Sequence, residues 1–237
     1  MKKVNTWWSK PLSNPGNFGD ILSSFILQEM GYDAVHVDRS VSHKLVCIGS
    51  TARFIKKGDT VWGTGIMNKS DPIEKDAKYL AVRGPLTGNK VGCDVYGDPG
   101  LLCSHFWPFE KQGISPLGFI PHYVDYDKHD IGGHTQINVR NNTPVEVIRE
   151  IVKCDSIISS SLHGIIVAHS YGIPAGWWKP SNKISGDGSK FEDYAQSVGI
   201  ILTPERDYRN VKMTLPSACV INKIQERLLN AATGILC

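Results

Sequence analysis

No two of the six cysteines form a C-x-x-C pair, so the 237-residue chain shows neither a zinc pattern nor a disulfide framework. Reduced cysteines in a cytosolic protein are the simplest account. Long apolar runs are missing too. No stretch reaches the roughly 18 residues of a membrane span. The amino terminus opens on Lys2 and Lys3 without the apolar segment of a signal peptide. The sequon Asn141-Asn142-Thr143 therefore carries no weight. Charge of one sign is scarce as well. A formal net charge of +3 is too small to argue for nucleic acid, though it suits anionic small molecules or an anionic membrane surface. There is no metal-ligating cluster, internal repeat or low-complexity segment. What remains is 41% hydrophobic and 21% charged, the make-up of a soluble globular protein with one large domain or two small ones.

Short β-rich runs alternate with helical patterns. VNTWW (4–8) reads as a strand. A helix is expected from Phe18 to Met30, with Ile21, Leu22, Phe25, Ile26 and Met30 at helical spacing. DAVHVD (33–38), KLVCIGS (44–50), DTVWGTG (59–65) and KYLAVRG (78–84) read as strands, the last followed by a helix opening on Pro85. DVYGDPG (94–100) ends in a loop, and the turn-rich FWPFEKQGISP (106–116) reads as a linker. Beyond it, LGFIPHYVD (117–125), TQINVR (135–140), SIISSS (156–161) and PAGWWK (174–179) are strand-like. PVEVIREIVKC (144–154), LHGIIVAHSYG (162–172) and SKFEDYAQSVG (189–199) are helical. The tail 217–234 is an amphipathic helix with Val220, Ile224 and Leu228 on one face. The expected architecture is α/β: two small Rossmann-like, doubly wound domains, 1–108 and 109–237, facing a cleft at the carboxyl ends of their strands. The terminal helix is expected to pack back on the first domain.

Two junctions carry chemistry. In NPGNFGD, Gly16 and Gly19 permit backbone conformations that a side chain forbids and deliver Asp20 to a helix start. Asp20 either caps that helix or faces a substrate. In SIISSSLHG, a strand ends on Ser159, Ser160 and Ser161 and a helix begins near Leu162. Hydroxyls and unpaired N–H groups there make an anion site. His163, in the first turn, is either a satisfied helix-start residue or an anion ligand and proton donor. Gly164 beside it lets a backbone or a ligand pack close. His169, six residues on, reads as structural.

NFGDILS, VWGTGI, AVRGPLT, YGDPGLL, GFIPHYVD, ISSSLHGIIVAHSYGIP and SKFEDYAQSVG occur in this order. From about residue 4 to residue 200 the series resembles the polysaccharide pyruvyl transferase family, in particular the branch acting on bacterial exopolysaccharides. The resemblance implies a fold similar to the two-domain GT-B glycosyltransferases. It implies phosphoenolpyruvate as donor, a sugar hydroxyl pair of a surface polysaccharide or its precursor as acceptor, and a cyclic pyruvate ketal as product. No cofactor or metal is called for. The acceptor is free or lipid-linked, and the expected location is the cytoplasm, at the inner face of the membrane by peripheral contact.

The resemblance makes His163, in Leu-His-Gly, a donor-site residue and proton donor. Some members carry Arg just before that Leu, where this chain has Ser161. The missing cation must then come from Arg140, Arg83 or Lys190. Arg140, ending a second-domain strand, is favoured; Lys190 instead pairs with Asp193 on a short helix. With Ser159, Ser160, Ser161 and Gly164, His122 completes the donor side, unless it only packs in its loop. Asp20 is the base for the acceptor hydroxyl, with Asp98 in YGDPG as a rival or a turn residue. Asn17, Gly19, Trp62, Gly63 and Asp98 form the acceptor side. Trp62, Trp177 and Trp178 either stack on sugar faces or fill the core. Gly63 and Gly65 make a turn where backbone can approach a ligand. Two other readings remain: a GT-B glycosyltransferase using a nucleotide sugar, and a non-catalytic glycan-binding relative.

Overall fold

The computed structural model describes residues 1–9, 17–122, 125–128, 131–140 and 143–236. Gly16 and the first two residues of the sequon lie outside them. In the first half, β1 (Lys2–Trp7) leads through α1 (Phe18–Glu29) to β2 (Tyr32–His36). Then come β3 (Leu45–Val46), β4 (Thr60–Trp62), β5 (Lys78–Ala81), α2 (Pro85–Val91) and the single turn α3 (Cys103–Phe106). The second half runs β6 (Gly118–Ile120), β7 (Thr135–Gln136), α4 (Pro144–Ile151), β8 (Ile157–Ser159), α5 (Leu162–Ser170) and β9 (Ala175–Trp177). Helices α6 (Ser189–Val198) and α7 (Ala218–Ala232) follow.

Local chemistry explains the boundaries. Asn17 caps α1 by accepting the Gly19 N–H at 3.3 Å, and α1 buries Leu22, Ile26 and Leu27. Pro85 opens α2, and Gly92, at φ 75°, ends it in the left-handed conformation that glycine adopts without strain. Thr143 and Glu146 form a reciprocal capping box on α4. Helix α5 is apolar nearly all round, and all nine of its residues are buried, as such a helix requires. The strand expected over 135–140 stops after Gln136. Beyond it, Asn138 turns back on the Arg140 N–H (2.9 Å), and the Val139 carbonyl accepts the Phe18 N–H at the start of α1 (3.1 Å).

Both sheets are parallel throughout, in the orders β2-β1-β3-β4-β5 and β7-β6-β8-β9. Each winds outward from its first strand to one edge, then crosses to the other side. The winding therefore reverses between β1 and β3, and again between β6 and β8. Loops leaving the carboxyl ends at such a reversal diverge and open a crevice, which is where parallel sheets take ligands.

One apolar core joins the two sheets. It holds Leu22 and Ile26 of α1, Leu101 and Leu102, and Ile165 and Ile166 of α5 in a single cluster. The last two helices reach back to the first half. The Trp62 indole donates to the Leu228 carbonyl of α7 at 3.0 Å. Asp193 of α6 pairs with Arg83 after β5. No helix among the described residues is long and apolar enough to cross a membrane.

Candidate active site

The two winding reversals face one cavity of about 260 Å³. Ser9, Asn17 and Asp20 reach it from the connection after β1, and Ser50, Thr51, Arg53 and Phe54 from the connection after β3. From the second half come His122 after β6, then Ser161, Leu162 and His163 at the start of α5. Lys190 of α6 and Lys183 and Ser185 of the preceding segment complete the polar lining.

His163 is wedged into place by a missing side chain. A Cβ at Gly19 would lie 2.1 Å from its Nδ1. Gly19 is therefore small for the imidazole, not for a ligand. The Phe18 ring meets the imidazole edge-on at 6.5 Å between centres. Its Nε2 is buried and has no hydrogen-bond partner among the described residues. Burial, reinforced by Arg83 and Lys190, pushes the imidazole down to about 3, so it is neutral at pH 7.

Asp20 and Lys190 are tuned in opposite directions. Burial raises the Asp20 carboxyl to about 6, against the opposing pull of the Asn17 amide (3.3 Å) and Lys190. Burial and Arg83 lower the Lys190 ammonium to about 8, and Asp20 partly restores it. Lys190 does not pair with Asp193. That carboxylate is taken by the Arg83 guanidinium (3.1 Å) and by the Thr87 hydroxyl and N–H (2.7 and 3.0 Å). Among the described residues the Lys190 ammonium makes no ion pair. His122, lowered to about 4 by burial and Lys190, is a second neutral imidazole in the lining.

Arg83 lies beneath this surface, fully buried. Besides Asp193, it donates to the Ile66 carbonyl (2.5 Å) and to the hydroxyl of the lining residue Ser50 (2.8 Å). It shapes the site through its field rather than by contact. Arg140, the favoured donor cation, is not in the lining. Because β7 stops early, its guanidinium pairs with Asp127 (2.8 Å) and lies over the Tyr126 ring.

Several other expected ligands turn inward. Trp62 is fully buried, bonded to α7. Trp177 stacks on Phe191 at 3.9 Å, and the Trp178 indole donates to the Arg206 carbonyl, so all three fill the interior. A Cβ on Gly63 would strike Pro99 (2.1 Å), one on Gly65 the Arg83 guanidinium (2.6 Å), and one on Gly164 the Ser159 hydroxyl (2.5 Å). Each glycine admits a protein neighbour. Asp98 is fully buried and caps a tight turn at the Gly100 N–H (2.9 Å), its carboxyl raised to about 6 by burial. Ser159 bonds within its own turn, to the N–H and carbonyl of Ser161, and Ser160 is fully buried. Of the three serines, Ser161 alone lines the cavity. His169 is structural. Its Nε2 faces the Thr214 carbonyl and must donate, leaving Nδ1 to accept from the Tyr194 hydroxyl, each at 2.9 Å.

The sequence reading missed Arg53, Lys183, Ser50, Thr51 and Ser185. Residues 181–187 cross between the halves. The Ser181 hydroxyl donates to Asp125 (2.5 Å), while Asp187 exchanges bonds with Asn68 and the Lys69 N–H (3.1 and 3.0 Å). This strap carries Lys183 and Ser185 to the cavity.

A family model described as polysaccharide pyruvyl transferase matches residues 17–177, which contain Asp20, the winding reversal between β6 and β8, and His163. The chain is 30% identical over 215 residues to uncharacterized protein L143 of Acanthamoeba polyphaga mimivirus, covering 78% of this chain and 74% of that one. It is 28% identical over 212 residues to the succinoglycan biosynthesis protein ExoV of Rhizobium meliloti (strain 1021), covering 82% of this chain and 65% of ExoV. No solved structure matches significantly.

Proposed function

Because the chain belongs to the polysaccharide pyruvyl transferase family, we propose that this transferase moves a pyruvyl group from phosphoenolpyruvate to a sugar of a bacterial surface polysaccharide or its precursor, closing a pyruvate ketal. The observation that carries the reading is the make-up of one cavity. It combines three cations (Arg53, Lys183 and Lys190), the start of α5, a buried imidazole nitrogen with no partner among the described residues, and a carboxyl raised to about 6. The two facing parallel sheets suit a GT-B-like arrangement of donor and acceptor.

The donor carries a phosphate and a carboxylate, which Lys190, Arg53, Lys183 and the first N–H groups of α5 are suited to hold. Burial, more than Arg83 and Lys190, keeps the free imidazole neutral; the donor's phosphate and carboxylate beside it favour the imidazolium that delivers a proton to C3 of the enol. Protonation leaves C2 oxocarbenium-like. A sugar hydroxyl adds there and gives its proton to Asp20, a base whose pKa lies near the working pH. The C2–O bond to phosphate then breaks as the second hydroxyl adds. Of the two hydroxyl protons, one balances that given to C3 and the other leaves with inorganic phosphate. No cofactor is needed in this scheme. A phosphoenolpyruvate supply places the reaction in the cytoplasm, at the inner membrane face when the acceptor is lipid-linked.

The test is incubation with labelled phosphoenolpyruvate and a panel of galactose-, glucose- and mannose-terminated acceptors. Phosphate should appear in step with a ketal, and His163→Ala should cut the rate at least about a hundredfold, the lower end of acid–base contributions. Stabilisation by a nucleotide sugar, without phosphate release, would instead mark a glycosyltransferase. Glycan binding with no turnover would mark a non-catalytic relative.

A further inference from the structure

A second and wider space, about 680 Å³, lies beside the reaction cavity. It sits at the carboxyl ends of β1 and β2, lined by Trp7 and Trp8 at the end of the first strand and His36 and Arg39 at the end of the second. Ser9 and Phe54 line both spaces, so the two are neighbours across the Phe54 ring. That ring is held on several sides. The guanidinium of Arg39, from the wide bay, and that of Arg53, from the reaction cavity, lie 4.8 and 4.7 Å from its centre. Trp7 meets it edge-on at 5.5 Å. His36 is fixed by its Nε2 contact with the Trp8 carbonyl (3.1 Å) and by the Trp8 ring at 4.5 Å. The bay is preorganised, and none of its own groups takes part in the chemistry described above.

Resting on the pyruvyl transfer reading, we propose that this bay holds the sugar residues adjoining the reacting sugar of the acceptor saccharide. The reacting sugar must lie at the donor C2, beside Asp20. A cavity of about 260 Å³ falls below the range of roughly 300–1,000 Å³ typical of sites for drug-sized ligands, so a longer saccharide has to leave it. The wall shared through Ser9 and Phe54 leads into the bay. Its chemistry suits a pyranose. Trp7, Trp8 and Phe54 give the bay an apolar aromatic lining, the surface on which the C–H face of a sugar ring packs. Arg39, Lys56 and Asp38 supply donors and an acceptor for its hydroxyl rim.

The experiment compares a monosaccharide glycoside with a tri- or tetrasaccharide ending in the same sugar, using the panel acceptor that is turned over best, or, if none reacts, each terminal sugar in turn. Calorimetry gives the dissociation constant and phosphate release gives kcat/KM. The parent should bind the longer saccharide at least about tenfold more tightly. Arg39→Ala, an exposed substitution, should remove that advantage so that the two ligands bind alike. Equal affinity for both lengths in the parent, or an advantage untouched by Arg39→Ala, overturns the proposal. So does displacement of the saccharide by inorganic pyrophosphate whose own affinity depends on Arg39, which would make the bay an anion pocket. Arg39-dependent saccharide binding without phosphate release from phosphoenolpyruvate would keep the bay and reject pyruvyl transfer.

Discussion

Burial raises the Asp20 carboxyl to about 6 and lowers the Lys190 ammonium to about 8, and the two shifts bound a working window. In the proposed reaction the Asp20 base must be ionised and the Lys190 ammonium protonated. Donor affinity measured by calorimetry should therefore weaken as pH rises through about 8, and Asp20→Asn should lose most of the rate while keeping that dependence. Stability, by contrast, favours the protonated Asp20 carboxyl. A carboxyl whose folded pKa lies above its ordinary 3.8 favours folding most below that value, and the contribution is lost as pH rises through about 6. Asp20→Asn should thus melt higher than the parent at pH 7, with the gap closing below about pH 4. Gly19→Ala tests the wedge. The added carbon collides with His163, so activity should fall sharply and stability by about 1–3 kcal/mol in denaturant titration. Asp20 and His163 were legible because each stands at a strand–helix junction. Arg53 and Lys183 were not, since nothing local distinguishes them from solvated loop cations. Arg140 misled because its place at a strand end depended on how far β7 runs.

Among the elements, α6 is anchored by one buried ion pair that crosses 110 positions of sequence, Arg83 with Asp193. Glycines on both sides make room for it. A Cβ at Gly84 would sit 1.8 Å from the Asp193 carbonyl. Asp193→Ala leaves a buried guanidinium uncompensated and should cost about 3–5 kcal/mol. Lys57→Ala, at an exposed pair with Asp76, should stay within about 0.5 kcal/mol by the same chemical denaturation. The helices expected from the sequence, α1, α2, α4, α5, α6 and α7, are present, whereas the single turn α3 was not foreseen; a buried face leaves a periodic trace in α1, α4 and α7, and α5 shows as a continuous apolar run. Strand ends were less legible: β3 keeps two residues of a seven-residue pattern. An apolar run reports burial, whereas a ladder also needs a partner at the same height. The Arg83–Asp193 pair left no trace, since long-range partners share no local spacing.

For the molecule as a whole, a donor held by residues of both sheets should stabilise both together. Phosphoenolpyruvate at about 100 times its dissociation constant should add about 2.7 kcal/mol and raise a single melting transition rather than split it. The apolar core that runs through both sheets has a bearing on tempo. Swinging the halves apart would expose Leu22, Ile26 and Ile166, each at about 1.5–3 kcal/mol, along with their neighbours. Such jaw-like opening is too costly to serve each turnover. The strap over residues 181–187, which lines the cavity through Lys183 and Ser185, is of a size that moves in nanoseconds to microseconds rather than in the microsecond-to-millisecond range of domain swings. In the proposed reaction product escape should accordingly be fast and bond making at C2 the slow step, so that added viscogen should leave kcat unchanged.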